Sequence, residues 1–341
     1  MAPLAPILLG PNFAEQPYRG GGRTARFRGL VPALVPAPED WIASVTSRFG
    51  SATSGMTWLG NGELLRDAIA ADPLGYLGEA HVAAFGNDPG LLVKLLDASE
   101  RLVVHCHPDR DFAKRHLGCA HGKTEAWVVL EARENAEVYV GFQREVTRAE
   151  LGAWVTAQAV DEMLAALHRV PVRAGSAILV PAGLPHAIGD GILVLELQEP
   201  TDFSVMLEQG QFSSGDLGLG FDVALGCVDC TRWSPARLQR LFGAGLSEEG
   251  PLLPAEAEPF FRAQRCCASS GRAIEPGFSV VVGISGSGTL SGSFEGEVVL
   301  NRGSTVLVPY AAGATRLGGD LEAIVCRPPA PNAPQFPRPA L

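Results

Sequence analysis

The sequence has no uninterrupted apolar run long enough to cross a lipid bilayer, although 46% of its residues are hydrophobic. Its apolar first segment, MAPLAPILLG, contains no basic residue, so it does not indicate a secretory signal peptide. The cysteines are seven in number and scattered, a pattern that disfavours a disulfide framework and favours a reducing compartment. We therefore expect a cytoplasmic protein that makes no membrane contact.

Charged residues are also scarce, at 19%, and the formal net charge is −10. A general nucleic-acid-binding surface is disfavoured, because a phosphate backbone needs clustered positive charge. A phosphorylated metabolite is compatible with this balance, since a few local lysines and arginines can override the global sign. The chain is rich instead in glycine (40 residues) and proline (26), which favours short strands joined by tight turns. Its length of 341 residues is sufficient for two domains.

An internal repeat is the most informative pattern in the sequence. The segment Arg173–Pro181 (RAGSAILVP) recurs as Asn301–Pro309 (NRGSTVLVP), with the glycine and the final proline at the same spacing in both copies. Each copy combines a glycine turn, a strand of buried type and a proline that ends it. A repeat of this length predicts a duplicated β-domain rather than a solenoid.

Further strand candidates surround both copies of the repeat. They are Leu102–His107, Glu125–Leu130, Glu137–Phe142 and Gly191–Gln198 around the first copy, and Phe278–Ile284, Gly286–Phe294, Glu297–Leu300 and Leu321–Cys326 around the second. Helices are predicted at Gly62–Ala71 and Pro89–Leu96. Two more are expected to begin at the capping sequences Thr147–Glu150 and Ser234–Pro235.

Three histidines and one glutamate form a candidate metal site. His105 and His107 stand at i and i+2 of a predicted strand, so their side chains project from the same face. His186 follows a turn of glycine and proline just past the strand of the first repeat, and Glu125 begins a strand that can lie beside the first. An isolated His-x-His is often a surface pair, but all four residues in this order predict a metal site. Imidazole and carboxylate ligands together suit a first-row metal ion.

His-x-His followed downstream by Pro-x-Gly-x-x-His is the ligand layout of cupin barrels. The second copy of the repeat has no histidine, since none occurs after His186, and Ala314 stands at the position equivalent to His186. We therefore predict a mainly β fold with helical insertions, built from tandem cupin (jelly-roll) barrels of which only the first carries a metal site. The expected parts are a metal-binding cupin domain with helical segments at 1–250, a cupin-like β-domain without metal at 251–330, and a proline-rich tail at 331–341.

Four sequence blocks carry a resemblance to a known enzyme family. They are Leu92–Asp97 (LVKLLD), Val104–Asp109 (VHCHPD), Gly122–Trp127 (GKTEAW) and Val180–Gly189 (VPAGLPHAIG), the last of which runs on to Leu195–Gln198 (LELQ). On these blocks the sequence resembles the class I mannose-6-phosphate isomerases in their short bacterial form. The resemblance implies interconversion of mannose 6-phosphate and fructose 6-phosphate or a related sugar, with Zn²⁺ as cofactor and a small-molecule sugar phosphate or sugar as partner. It implies zinc ligands at His107, Glu125 and His186, and lysines of the sugar-phosphate pocket at Lys94 and Lys123.

Two positions depart from the family pattern. His105 stands where the family usually has glutamine, so the ligand set becomes three histidines and a glutamate, which suits zinc and equally iron, manganese or nickel. Met206 lies in the stretch where the family has an arginine of the active site. Two alternatives therefore stay open beside the isomerase: a cupin of another chemistry, such as an iron-dependent oxygenase, and a metal- or sugar-binding protein without turnover.

Isomerisation moves a proton between adjacent carbons through an enediol, so a proton-transferring group must lie near the metal. Lys123, two residues before Glu125, is a candidate for moving this proton or for binding phosphate. Lys94 lies in an apolar run, where an ammonium group is costly unless it is paired or faces a polar pocket. Lys123 and Lys94 are therefore the predicted catalytic residues, with Arg19 and Arg23 as further candidates for the phosphate. The sequence predicts neither nucleic acid nor a membrane as a partner, and it leaves the oligomeric state open.

Overall fold

The structure is a computed structural model that describes residues 4–31, 37–210, 212 and 215–333. The predicted mainly β architecture with helical insertions is confirmed, because the strands of the described residues form three sheets that short helices connect. The final part of the predicted proline-rich tail, 334–341, lies outside the described residues.

A six-stranded sheet, here called the central sheet, is packed on both faces. In order across the sheet, its strands are Phe13–Ala14, Glu39–Ile42, Leu92–Ala98, Ile192–Gln198, Glu125–Ala132 and Ala177–Val180. A five-stranded sheet contains Val205–Met206, His105–Cys106, His186–Ile188, Glu137–Phe142 and Leu167–Pro171, in that order. All neighbouring strands in both sheets are antiparallel.

The third sheet, here called the C-terminal sheet, has eight strands. Six follow one another in the order Ile7–Leu9, Thr305–Val308, Ser279–Ser291, Thr315–Arg327, Arg262–Cys267 and Gly250–Pro251. The other two are Ala273–Ile274, which pairs with Thr315–Arg327, and Val298–Asn301, which pairs with Ser279–Ser291. The first strand of the chain thus belongs to this sheet, with Ile7 opposite Leu307.

Side chains of the central sheet alternate between two hydrophobic cores, as the two-residue period of a strand requires. Leu95 packs in one core together with Leu307 of the C-terminal sheet. The next residue, Leu96, and Trp127 pack in the other core together with Val138 of the five-stranded sheet. The central sheet therefore lies between the other two sheets. The face that packs against the five-stranded sheet also borders the candidate site.

The α-helices of the described residues are short. They are Arg23–Phe27, Leu65–Ala71, Pro73–Leu77, Glu79–Phe85, Arg110–His116, Arg148–Ala157, Val160–Ala166, Phe221–Ala224 and Pro235–Gln239. Single 3₁₀ turns are at Leu225–Cys227, Gly245–Ser247, Ala255–Ala257, Ala268–Ser270 and Tyr310–Ala312. Both predicted helix starts are confirmed, since the side chains of Thr147 and Ser234 accept hydrogen bonds from the N–H groups of Glu150 and Arg237. No helix within the described ranges is long and apolar enough to cross a membrane.

The sequence repeat is confirmed as two equivalent strands. Ala177–Val180 and Thr305–Val308 are buried strands, each followed directly by a proline. Gly175 and Gly303, which open the two copies, have φ angles of 94° and 86°, in the region that favours glycine. A Cβ atom on Gly303 would also lie 1.8 Å from the carbonyl oxygen of Phe27, so space as well as backbone conformation requires glycine there.

The prediction of a helix at Pro89–Leu96 is wrong. Residues Leu92–Ala98 form a strand of the central sheet that is buried along its whole length. A short apolar run between turn residues suits a buried strand or a buried helix equally well, and here strand partners on both sides determine the outcome. The predicted strand Leu102–His107 is also shorter than expected, because only His105–Cys106 pairs as a strand.

Candidate metal centre and adjoining cavity

One face of the central sheet carries most of the charged side chains of the site. Lys94 and Glu196 are directly opposite each other on neighbouring strands, and Glu196 is also opposite Trp127 on the next strand. Glu125 lies two residues before Trp127 and therefore shares its face. Lys94, Glu125 and Glu196 are all buried. The same strands that present leucine to the C-terminal sheet thus present charged groups to the five-stranded sheet.

The five-stranded sheet brings the three predicted histidines together. His105 and His186 are opposite each other on antiparallel strands, and His107 follows two residues after His105. Their ring centroids are 4.2 Å apart for His105 and His186, 4.9 Å for His105 and His107, and 4.8 Å for His107 and His186. One nitrogen atom from each ring lies within 4.8 Å of the others. This spacing is compatible with a shared metal ion.

Hydrogen bonds fix the orientation of each imidazole ring. The Nδ1 atoms of His105, His107 and His186 each lie 2.8 Å from a backbone carbonyl oxygen, those of Val103, Phe203 and Leu184. A carbonyl oxygen only accepts, so Nδ1 carries the proton and Nε2 keeps its lone pair. Within the described residues, Nε2 of His107 and of His186 is buried without a hydrogen-bond partner. Burial lowers the pKa of all three imidazoles to about 3, which keeps them in the neutral form that binds metal.

Glu125 lies beside this group. Its Oε1 atom is 2.9 Å from Nε2 of His107 and 3.0 Å from Nζ of Lys123, and its Oε2 atom is 3.8 Å from Nε2 of His186. Burial opposes ionisation, but the ammonium group of Lys123 holds the pKa of Glu125 well below its usual range. A lone-pair nitrogen and a carboxylate oxygen are both acceptors, so their approach to 2.9 Å is favourable only with a cation or a proton between them. The four predicted residues therefore fit a divalent ion.

A second charged group surrounds Lys94. Its Nζ atom lies 3.7 Å from Oε2 of Glu39, 3.7 Å from Oε2 of Glu196 and 4.4 Å from the ring centroid of Trp41. Burial opposes the ammonium form, but the carboxylate of Glu39 raises the pKa of Lys94 above its usual range. Glu39 accepts hydrogen bonds from Nε1 of Trp41, at 2.6 Å, and from the hydroxyl of Tyr18. These bonds stabilise the ionised form of Glu39, so Glu39 is the charged partner of Lys94.

Glu196 is the protonated member of the same group. Burial, together with the charge of Glu125, raises the pKa of Glu196 to about 8, although Lys94 acts in the opposite direction. Its Oε1 atom accepts a hydrogen bond from Nε1 of Trp127 at 3.2 Å, and the same indole N–H lies 3.2 Å from Oε2 of Glu125. Trp127 thus connects the Lys94 group with the candidate metal centre.

A cavity of about 480 Å³ joins the two groups. Among the predicted site residues, His105, Lys94, Lys123 and Glu125 line it. Sequence analysis missed further lining residues, namely Tyr18, Glu39, Arg48, Trp127 and Glu196. Of these, Glu196 and Trp127 lie inside blocks of the family resemblance and were therefore accessible to sequence reasoning. Tyr18, Glu39 and Arg48 come from an N-terminal stretch without a recognisable motif.

Met206 lies at the point where the family pattern has an arginine. It is opposite His105 on the edge strand of the five-stranded sheet, and it lines the cavity. Arg19 and Arg23 are not among the described residues that line this cavity. Arg19 is exposed, and Arg23 is paired with Asp97 at 3.3 Å. Neither arginine therefore compensates for the methionine.

Comparison with known proteins relates most of the chain to one group of enzymes. A mannose-6-phosphate isomerase of Streptococcus mutans is 30% identical over 266 residues, which cover 74% of this chain and 79% of that protein. A mannose-6-phosphate isomerase of Bacillus subtilis is 32% identical over 206 residues, covering 59% of this chain and 60% of that protein. No protein-family model matches the chain.

Solved structures share the fold over nearly the full length. The crystal structure of a mannose 6-phosphate isomerase from Bacillus subtilis superposes with a TM-score of 0.70 at 22% identity, covering 95% of this chain and 100% of that one. A mannose 6-phosphate isomerase bound with zinc and yttrium gives a TM-score of 0.72 at 15% identity, covering 96% of this chain and 100% of that one. At these identities the structural comparison establishes the fold alone.

Proposed function

The chain belongs to the mannose-6-phosphate isomerase family, and we propose that it interconverts mannose 6-phosphate and fructose 6-phosphate, or a related aldose and ketose, with one divalent metal ion. The observation that carries the proposal is the approach of neutral His107 to ionised Glu125 at 2.9 Å, beside two further imidazoles and at the wall of a polar cavity. This arrangement suits a metal ion that meets a small polar substrate.

The proposed ligands are His105, His107, Glu125 and His186. Zinc is the expected ion, because four nitrogen and oxygen ligands suit it and a similar structure contains it, while iron, manganese and nickel are compatible with the same ligand types. A bound divalent ion supplies Lewis-acid stabilisation of the negative charge that develops on the sugar oxygens. Restoring glutamine at position 105 tests how far the third imidazole determines the choice of ion.

Two residues of the cavity are suited to hold or move a proton. Nζ of Lys123 is fixed by Glu125 at 3.0 Å and lies 3.4 Å from Oγ of Ser204, so its N–H groups are directed at the end of the cavity near the histidines. Glu196 carries a proton at neutral pH on a carboxyl group whose pKa of about 8 is near the working range of a general acid or base. We assign proton handling to these two residues.

Lys94 has a different proposed role. Its ammonium group is held between Glu39 and Glu196 and stays charged, since its pKa is raised. A permanently charged lysine is a poor base but a good hydrogen-bond donor to sugar hydroxyl groups. We therefore propose that Lys94 orients the substrate and keeps Glu196 in place.

The same proposal includes the finer architecture predicted from the sequence. The regions 1–250 and 251–330 are proposed as two cupin-type barrels, of which only the first binds metal, since Ala314 replaces the histidine in the second copy of the repeat. The strand Ile7–Leu9 is an exception to this division, because it completes the C-terminal sheet. A cytoplasmic location fits the seven cysteines, all of which are free thiols.

The test is an isomerase assay on purified protein loaded in turn with zinc, iron, manganese and nickel. We expect conversion of mannose 6-phosphate to fructose 6-phosphate, and its loss in a His186→Ala variant. Failure of the wild type to convert either the phosphorylated or the free sugar with any of these ions would refute the isomerase. Oxygen uptake with iron would then favour the oxygenase alternative, and metal or sugar binding without turnover would favour a binding protein.

A further inference from the structure

We propose that Arg48 binds the phosphate group of the substrate, in place of the arginine that the family has where this chain has Met206. The inference rests on the proposed isomerase function and identifies the residue that makes its cavity prefer a phosphorylated sugar.

Among the described residues that line the first cavity, the other lysine and arginine side chains already have acidic partners. The pairs are Lys94 with Glu39 and with Glu196 (3.7 Å each), Lys123 with Glu125 (3.0 Å), and Arg101 with Glu208 (2.7 Å). Both terminal nitrogens of Arg101 donate hydrogen bonds to Glu208, so its guanidinium group is already paired with a carboxylate. Arg48 is the exception within the described part of the chain, because its guanidinium group forms no ion pair there. A phosphate dianion needs such an uncommitted cation.

Hydrogen bonds hold the backbone of Arg48 in place, whereas its side chain has no ion-pair partner within the described ranges. Its N–H donates to the carbonyl oxygen of Ser54 at 2.7 Å, and its own carbonyl oxygen accepts from the N–H of Ser51 at 2.9 Å. The next residue, Phe49, donates its N–H to Oδ2 of Asp202 at 2.9 Å. These bonds fix the turn that carries Arg48. Phosphate binding would therefore cost the conformational entropy of one side chain, without a further cost for ordering the backbone.

The turn is attached to the segment that holds the metal centre. The ring of Phe49 packs edge-to-face on the ring of Phe203, with centroids 5.9 Å apart, and the carbonyl oxygen of Phe203 accepts the hydrogen bond from His107. Arg48 also lines a second cavity of about 590 Å³, whereas His105 lines only the first. Arg48 therefore lies where the two cavities meet. In an open-chain sugar phosphate, the phosphate is likewise at the opposite end of the molecule from the carbons that react at the metal.

Carboxylate side chains near Arg48 are a further reason why a bound phosphate needs a contact with a cation. Asp202 lines both cavities and Glu100 lines the first, so an incoming phosphate meets repulsion from carboxylates. A planar guanidinium offers two parallel N–H groups to the phosphate oxygens and offsets that repulsion better than a lysine would.

The experiment compares wild type with Arg48→Met and with the matched control Arg66→Met. Arg66 lines only the second cavity and is paired with the neighbouring Asp67 at 3.0 Å. The measured quantity is the ratio of kcat/KM for mannose 6-phosphate to kcat/KM for mannose. We expect Arg48→Met to lower this ratio by about ten- to a hundred-fold, as the loss of one charge-assisted contact implies, while Arg66→Met leaves it as in the wild type.

Binding of inorganic phosphate, measured by calorimetry, gives a second readout that needs no turnover. Wild-type protein and Arg66→Met should bind it, Arg48→Met should not, and Arg48→Lys should bind it with reduced affinity. Thermal unfolding of each variant establishes that it is folded. A wild type that converts mannose 6-phosphate, with the ratio and phosphate binding unchanged in Arg48→Met, would overturn the role of Arg48 alone. A wild type that converts neither sugar refutes the isomerase, and phosphate binding that depends on Arg48 would still support the anion site.

Discussion

His105 and His186 are directly opposite each other on two antiparallel strands, and their ring centroids are 4.2 Å apart. Each ring is oriented through Nδ1 by a carbonyl oxygen of the turn that precedes it, so the positions of the Nε2 atoms are determined by the fold. Burying the neutral rings of His107 and His186, whose Nε2 atoms have no hydrogen-bond partner within the described residues, costs desolvation energy that a bound ion would recover. We therefore expect metal binding to stabilise the sheets that carry these histidines.

Metal content is expected to depend on the four proposed ligands. A His105→Ala, His186→Ala double variant should retain little of the single ion per chain that we expect in the wild type, as measured by elemental analysis. A control double variant, His116→Ala with His121→Ala, removes two histidines outside the group and should keep the full content. Zinc at a hundredfold excess over its Kd should stabilise the wild type by about 2.7 kcal/mol and the double variant much less. Full metal content in the His105, His186 variant would contradict the assignment.

Replacing His105 with glutamine should preserve metal binding and shift the preference towards zinc. The His105→Gln variant has one imidazole fewer with which to retain iron or nickel, and it restores the ligand set that the resemblance implies. Competition between zinc and iron, measured on both proteins by elemental analysis after equilibration, checks this outcome. Identical selectivity in the two proteins would mean that the third imidazole has no influence on the choice of ion.

Lys123→Met should reduce kcat/KM by about ten- to a hundred-fold for the phosphorylated and the free sugar alike. The reason is its position: Nζ lies 3.0 Å from Glu125, at the end of the cavity where the reacting carbons are expected. Lys114→Met, which removes an exposed lysine, serves as the control and should behave as the wild type. A loss confined to the phosphorylated sugar would instead identify Lys123 as a phosphate ligand.

The pH dependence of stability should change when Glu196 is replaced with glutamine in metal-free protein. Burial raises the pKa of Glu196 from 4.5 to about 8, so the folded state binds this proton more tightly than the unfolded state. The resulting stability is fully present below pH 4.5 and is lost as the pH rises through 8. Glu196→Gln imitates the protonated form and should lose less stability between pH 5 and pH 8.5 in urea unfolding with a chelator. The exposed Glu134→Gln variant should follow the wild type, and equal slopes in all three proteins would contradict the assignment.

The sequence was sufficient to predict those features that depend on local spacing. The repeated strand endings at Pro181 and Pro309 follow from a short motif, and the grouping of His105 with His107 follows from the two-residue period of a strand. The expectation that Lys94 faces a polar pocket also agrees with the structure, although its segment is a strand and not a helix. The burial cost of an ammonium group applies in either conformation, whereas apolar periodicity over so few residues does not distinguish the two.

The partners of Lys94 were beyond sequence reasoning for a physical reason. Glu39 and Trp41 approach it only because the strand Glu39–Ile42 pairs with Leu92–Ala98, and nothing in the sequence around them specifies that pairing. Arg48 was missed for the same reason. Its proposed role depends on its having no acidic partner among the described residues, and the ion pairs of the other basic residues become visible only in the folded chain.

The strand Ile7–Leu9, opposite Thr305–Leu307, has a consequence for how the protein is made. Ile7–Leu9 leaves the ribosome long before its partner strand, so this edge of the C-terminal sheet cannot form until Thr305–Val308 has been synthesised. Closing so large a loop slows folding more than it weakens the final structure. Until that moment Ile7–Leu9 has no strand partner, and its unpaired N–H and C=O groups can pair with another chain. Removing either of these two strands would leave the other one permanently without this partner.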